Sequence, residues 1–163
     1  MTVVVSDTSP LNYLVLINAI ELLPRLFSEV FIPSAVAAEL SQPNTPPPVR
    51  AWIAAPPQWL QIRAPQTTQH SFDLDEGEAQ AILLAQELSV LSFLIDERKG
   101  FRIAEALGLE PIGLLGVLEL CASRRWIDFE EHVARLRVTS FRFHERLIAE
   151  ARARIAIVLA PES

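Results

Sequence analysis

Short apolar runs that end in a carboxylate, each followed by a helical pattern, constrain this chain more than any other feature. Val3-Val4-Val5-Ser6 runs into Asp7, and Thr8-Ser9-Pro10 then leads into an apolar helical stretch. β-Branched residues fit a buried strand, whereas Pro is tolerated at the start of a helix. Leu91-Ser92-Phe93-Leu94-Ile95 repeats the pattern and runs into Asp96. Further strand-like runs fall at Glu29–Ile32, Leu60–Ile62 and, more weakly, Pro111–Gly113. Helical patterns lie between them at Pro10–Asn18, Ile20–Phe27, Ser34–Leu40, Val49–Ala54, Gly77–Leu88 and Phe101–Leu107, and continue over 114–123, 128–137 and 144–158. This alternation predicts an α/β fold with a central parallel sheet covered by helices on both faces. A carboxylate at the carboxyl end of a parallel strand opens onto the crevice where such sheets bind ligands. Asp7 and Asp96 are therefore expected to share one sheet edge.

With 163 residues, half of them apolar, the chain has enough material for a full core. Residues 1–158 are expected to form a single domain and 159–163 a short tail. Gln42–Pro48, with four prolines, reads as an exposed loop, and Ala64–Ser71 as a second connection. The apolar stretches are too short for a bilayer span, and Met1-Thr2-Val3 lacks the basic start of a signal peptide, so a cytoplasmic protein without membrane contact is expected. Cys121 is the sole cysteine and reads as a small core residue. Charge is unevenly spread: residues 1–123 carry 6 Lys/Arg against 14 Asp/Glu, whereas 124–154 carry 8 Arg against 5 acids. The acidic part would repel a polyanion. The arginines could attract one, or they could simply be the solvated faces of amphipathic helices.

Among the acids, Asp7 stands out, because Ser9 before Pro10 already fits the helix N-cap and leaves Asp7 without a structural role. Asp96 ends a strongly apolar run; it could cap the helix that follows, and Glu97 is its rival. Glu39 falls late in a short, otherwise apolar helix, where a negative charge opposes the macrodipole. Glu78 follows Asp75 at the spacing of a capping box, and Asp73, Asp75 and Glu76 compete with it for any chemical role.

Two ionised carboxylates 4 Å apart repel by about 4 kcal/mol at an effective dielectric near 20, so several in one cleft call for a cation or for protonation. Mg²⁺ and Mn²⁺ prefer oxygen ligands, and a carboxylate site that retains water suits metal-assisted phosphodiester hydrolysis. Other chemistries lack their residues. Lys99 is the only lysine and Asp7 the only acid near the first strand, which disfavours a receiver domain. Ser9 stands where a haloacid-dehalogenase phosphatase needs a second Asp. No phosphate-binding glycine fingerprint is present, and His70, His132 and His144 show no zinc-ligand spacing and no sign of a Ser-His-Asp triad.

Taken in order, Asp7-Thr8-Ser9-Pro10-Leu11, Gly77-Glu78-Ala79, Ile95-Asp96-Glu97-Arg98, Arg102 and Gly113-Leu114-Leu115-Gly116 resemble the PIN-domain superfamily over roughly residues 3–150. These are small metal-dependent ribonucleases that include the VapC-like toxins of bacterial toxin–antitoxin pairs. The resemblance implies a three-layer α/β/α sandwich with a five-stranded parallel sheet of order 3-2-1-4-5. It implies an acidic set of Asp7, Glu39, Glu78 and Asp96 holding Mg²⁺ or Mn²⁺, with Ser9 hydrogen-bonding beside Asp7. Arg98, Lys99 and Arg102 follow Asp96 closely and could steer RNA phosphates, or could equally serve surface solubility alone. A cognate antitoxin and a homodimer are the partners that such families suggest. The alternative within the same scaffold is a module that binds RNA or an antitoxin with little catalysis. Leu94 and Leu114 stand where many relatives carry hydroxyls that help to hold the site.

Overall fold

The buried apolar runs lie side by side as parallel strands of one open sheet. In the computed structural model, which describes residues 2–161, the chain divides into two compact units, one ending at Ile112 and the other beginning at Gly113. The first unit contains β1 (Thr2–Ser6), α1 (Thr8–Leu16), α2 (Leu22–Leu26), β2 (Phe27–Ile32), α3 (Ser34–Leu40) and α4 (Pro47–Ala54). It continues with β3 (Leu60–Ile62), α5 (Glu76–Glu87), β4 (Ser92–Leu94), α6 (Arg98–Ala106) and β5 (Glu110–Ile112). The second unit holds α7 (Leu114–Ser123), α8 (Phe129–Arg137) and α9 (Glu145–Leu159). Pro161 ends the described chain, so the last two residues of the expected tail lie outside the described residues.

All five strands are parallel, in the order β3-β2-β1-β4-β5, the arrangement expected from the family resemblance. Val4, Val5, Phe93, Leu94 and Ile95 are fully buried, as central strands covered on both faces require. Ala81, Ile82, Leu84 and Ala85 of α5 pack into the same cluster with Val5 and Phe93. The small alanines let the helix approach the sheet, and Ile82 and Leu84 fill the space between. Helices end where the backbone enters the left-handed region, at Asn18, Ser89, Gly108 and Arg125. The reversal of strand order falls between β1 and β4, where Ser6 pairs with Leu94 and the Asp7 amide donates to the Leu94 carbonyl at 2.9 Å.

Several boundaries differ from the sequence expectations. The helix after β1 begins at Thr8, so Asp7 and not Ser9 takes the N-cap position. Phe27, expected in a helix, opens β2 because it pairs with Thr2. Pro47 and Pro48, expected in a loop, form the first turn of α4, where their missing amide donors cost nothing. The helix expected from Phe101 starts at Arg98, because Glu97 caps it. Gly113 leaves the last strand and caps α7. Cys121 is a fully buried free thiol. Among the described residues, no helix is long and apolar enough to cross a membrane.

The packing around β4 yields a direct test. Phe93→Ala should lower the unfolding free energy by about 3–5 kcal/mol, whereas Leu91→Ala, on a half-exposed side chain, should change it by no more than about 0.5 kcal/mol. Urea denaturation followed by circular dichroism measures both.

Candidate active site

Asp7 and Asp96 reach the same edge because β1 and β4 are neighbours that run in one direction. Asp7 follows the last residue of β1, and Asp96 lies two residues beyond β4. Asp7 is buried and Asp96 half-buried, with its Oδ2 withdrawn from solvent. Although Asp7 occupies the N-cap of α1, its side chain makes no capping bond. Asp7 Oδ1 is buried and has no hydrogen-bond partner among the described residues.

Helices bring in the remaining acids. Glu78 lies in the first turn of α5 and is almost wholly buried. Glu39 comes from the last turn of α3, which packs beside α5. Its Oε2 lies so close to Gly77 that a Cβ there would approach within 2.6 Å. Gly100 plays the same part at the start of α6: a Cβ there would sit 3.3 Å from Glu78 Oε2 and 2.5 Å from Ile95 Cδ1. Both glycines thus let backbone pass close to a carboxylate.

The rival acids are sorted by their bonds. Asp75 caps α5 by accepting from the Glu78 amide at 2.9 Å, the cap expected from its spacing. Its side chain also hydrogen-bonds with the Glu78 carboxyl, so Asp75 adjoins the site as well as serving the helix. Glu97, not Asp96, caps α6, accepting from the amides of Lys99 at 3.0 Å and Gly100 at 2.7 Å. Glu76 is exposed and binds His70 and Gln80. Asp73, also exposed, is ion-paired with Lys99.

The electrostatic consequence is large. Burial pushes the Asp7 carboxyl up to about 7, opposed by a hydrogen bond from the Thr8 backbone and reinforced by the charges of Asp75, Glu39 and Asp96. Burial likewise pushes Glu78 up to about 9, aided by its hydrogen bond with Asp75 and by the charges of Asp7, Asp75 and Glu97. Both therefore hold protons at pH values where ordinary carboxylates do not. The four expected acids thus lie within electrostatic reach along a chain of neighbours: Asp7 feels Glu39 and Asp96, and Glu78 feels Asp7. Among the described residues, however, no three His, Cys, Asp or Glu side chains converge closely enough to form a ready-made metal cage.

Thr8 was not singled out by its sequence context, yet its hydroxyl donates to Glu39 Oε2 at 2.6 Å. Ser9, half-buried one residue on, makes no side-chain bond to a site carboxylate among the described residues. Arg98 and Arg102 are exposed and one turn apart on α6, so they share a face. Leu94 and Leu114 are fully buried and apolar. In the second unit the arginine-rich composition is largely neutralised within the unit itself. Arg135 faces Glu131, Arg137 faces Glu145, Arg146 faces Glu150, Arg152 faces Glu130 and Arg154 faces Glu119. These pairs favour the solvated-helix reading of that region over a basic field for a polyanion.

Comparison with known proteins adds three findings. A family model described as a PIN domain matches residues 3–156, across both compact units. No curated protein matches the chain. Among solved structures, a PilT N-terminus domain protein from the hyperthermophilic archaeon Sulfolobus solfataricus is similar, at 16% identity and a TM-score of 0.49, covering 88% of this chain and 100% of its own.

The raised carboxyls fix the sign of a pH dependence. In the absence of divalent ions the folded chain binds more protons than the unfolded chain, from about pH 4 to about 7 for Asp7 and to about 9 for Glu78. That contribution to stability is complete below the unfolded values and is lost as pH rises through the folded ones. In EDTA, Asp7→Asn should therefore unfold at a higher temperature than the wild type at pH 8, by roughly 2–4 kcal/mol in stability, and should match it near pH 4. Thermal melts across this range measure the difference.

Proposed function

The chain belongs to the PIN-domain family, and from that membership and its acidic crevice we propose a metal-dependent ribonuclease, the toxin of a type II toxin–antitoxin pair. A nuclease-type fold follows from the family; RNA as substrate and the toxin role are the further steps of this reading. The observation that carries it is Asp7 Oδ1, a buried carboxylate oxygen with no hydrogen-bond partner among the described residues, surrounded by other acids. Burying such an atom is costly unless something else satisfies it.

The donor set fits a hard divalent cation, since every candidate ligand atom is a carboxylate oxygen. Asp7 and Asp96 would hold Mg²⁺ or Mn²⁺ directly, and Glu39 and Glu78 would complete the site, a cation gathering acids that now stand as neighbours rather than as a formed cage. When bound, such an ion lowers the pKa of a coordinated water and neutralises charge developing on the phosphate. The protein's own groups do the rest. Asp7 and Glu78 would have to give up the protons they hold before serving as ligands, which would tie ion affinity to pH. One of the two glutamates orients or deprotonates the attacking water; by family likeness the P–O3′ bond breaks, leaving a 5′-phosphate and a 3′-hydroxyl. Arg98 and Arg102, exposed on one face of the helix that follows Asp96, receive the RNA backbone. Lys99 joins them by exchanging its partner Asp73 for a phosphate. A cognate antitoxin and a homodimer belong to the same proposal, supported by family likeness.

Purified protein should cleave RNA only with Mg²⁺ or Mn²⁺, and Asp7→Asn or Asp96→Asn should lower the rate at least about 100-fold, beyond the 10–100-fold typical of outer-shell partners. Intact RNA with retained binding would establish the non-catalytic scaffold instead. Arg98→Ala and Arg102→Ala should raise KM with little change in kcat. Each should also flatten the salt dependence of RNA binding by about 0.7 in the log–log slope, as gel-shift titrations at several salt concentrations would show.

A further inference from the structure

Glu39 is the acid with the least reason to stay where it is. It sits in the last turn of a seven-residue helix, where the macrodipole opposes its charge, and its side chain has three rotatable bonds. Left alone it would swing into water. One hydrogen bond holds it and one gap admits it, and both fall on the same oxygen. Thr8 Oγ1 donates to Glu39 Oε2 at 2.6 Å, and Gly77 leaves room for that oxygen where a Cβ would intrude to 2.6 Å. The backbone of Glu39 is fixed too, since its carbonyl accepts from Thr45 Oγ1 at 3.0 Å.

Thr8 does more than hold one glutamate. Its backbone adjoins Asp7 and opposes the rise in that carboxyl's pKa, so a single residue acts on carboxylates from the end of β1 and from α3. A donor between two like charges both lowers their repulsion and sets their separation. The geometry points to Thr8 as a positioning residue that brackets Asp7 and Glu39 for a shared divalent cation, with Gly77 as the gap that lets Glu39 fit. This rests on the nuclease reading and assigns to Thr8 a role that does not require it to touch the ion or the RNA.

The test uses the full chain and Mn²⁺ itself, with affinity read by calorimetry or by the spectrum of free Mn²⁺. Thr8→Val keeps the backbone beside Asp7 and the branched shape but removes the hydroxyl; it should weaken Mn²⁺ binding about 10-fold or more. Thr8→Ser restores the hydroxyl and should bind nearly as the wild type does, a rescue that a purely steric role for Thr8 would not give. Gly77→Ala should also weaken Mn²⁺ binding, although alanine is the better helix former, so affinity and helix propensity move in opposite directions. That variant and the serine variant keep the test usable if Thr8→Val folds poorly.

The failures are separable. If Glu39→Gln weakens Mn²⁺ binding while Thr8→Val and Gly77→Ala leave it unchanged, the bracket is wrong and the nuclease reading stands. If Asp7→Asn weakens binding but Glu39→Gln does not, Glu39 serves no ion and the bracket has no purpose. If the wild type binds no Mn²⁺ and cleaves no RNA, the nuclease reading falls and takes the bracket with it.

Discussion

Removing the Asp7 carboxyl from water, at a point where other carboxylates face it, is the constraint to which the first unit is fitted. A parallel strand covered on both faces must end somewhere, and the reversal of strand order beside β1 leaves its end in a crevice. Desolvation and neighbouring negative charge act in the same direction on Asp7, and only the Thr8 backbone acts against them. An isolated buried anion of this kind is not tolerated for long: it takes up a proton or a cation. The same crevice thus accounts for proton retention and, on the proposed reading, for affinity toward a metal.

How the surrounding acids are employed sharpens that picture. Asp75 and Glu97 each accept backbone amides at a helix start, so their charges are held by α5 and α6 as well as facing Glu78. Asp73 and Glu76 are turned to solvent with cationic or polar partners. The inner set to which the proposed chemistry is assigned, Asp7, Glu39, Glu78 and Asp96, is spread over two strand ends and two helices. Gly77 of α5 and Gly100 of α6 let backbone approach the Glu39 and Glu78 carboxylates. The helices are therefore placed by the sheet and tuned by the acids.

Much of the architecture could be read before any coordinates, and for identifiable reasons. Val3–Val5 and Phe93–Ile95 read as strands because short β-branched and aromatic apolar runs ending at an acid suit a strand buried on both faces. Asp7 and Asp96 could be paired because parallel strands end on one side. Local competition was harder to judge. Ser9 and Asp96 look like caps, yet register places Asp7 at one cap position, and Glu97, one residue further, bonds the amides of the other helix. Phe27 follows a helical pattern, and pairing with β1 overrides it. Glu39 and Glu78 owed their selection to a family resemblance, since neither stands out by its neighbours. Thr8 stood within the Asp7-Thr8-Ser9 motif with nothing to mark its role, because its partner lies in α3 and only the tertiary fold brings them together. The arginines of α8 and α9 left a basic field and a solvated helix face both open in sequence, and their ion pairs with acids of the same unit favour the second.

The most direct measurement follows the Asp7 carboxyl carbon itself, by carbon-detected NMR of ¹³C-labelled protein, assigned by its loss in the Asp7→Asn variant. Titrated without divalent ions, this carbon should change with a midpoint near 7, and Mg²⁺ should shift that midpoint downward as ion replaces proton. A midpoint in the ordinary aspartate range, indifferent to Mg²⁺, would contradict the account at its root.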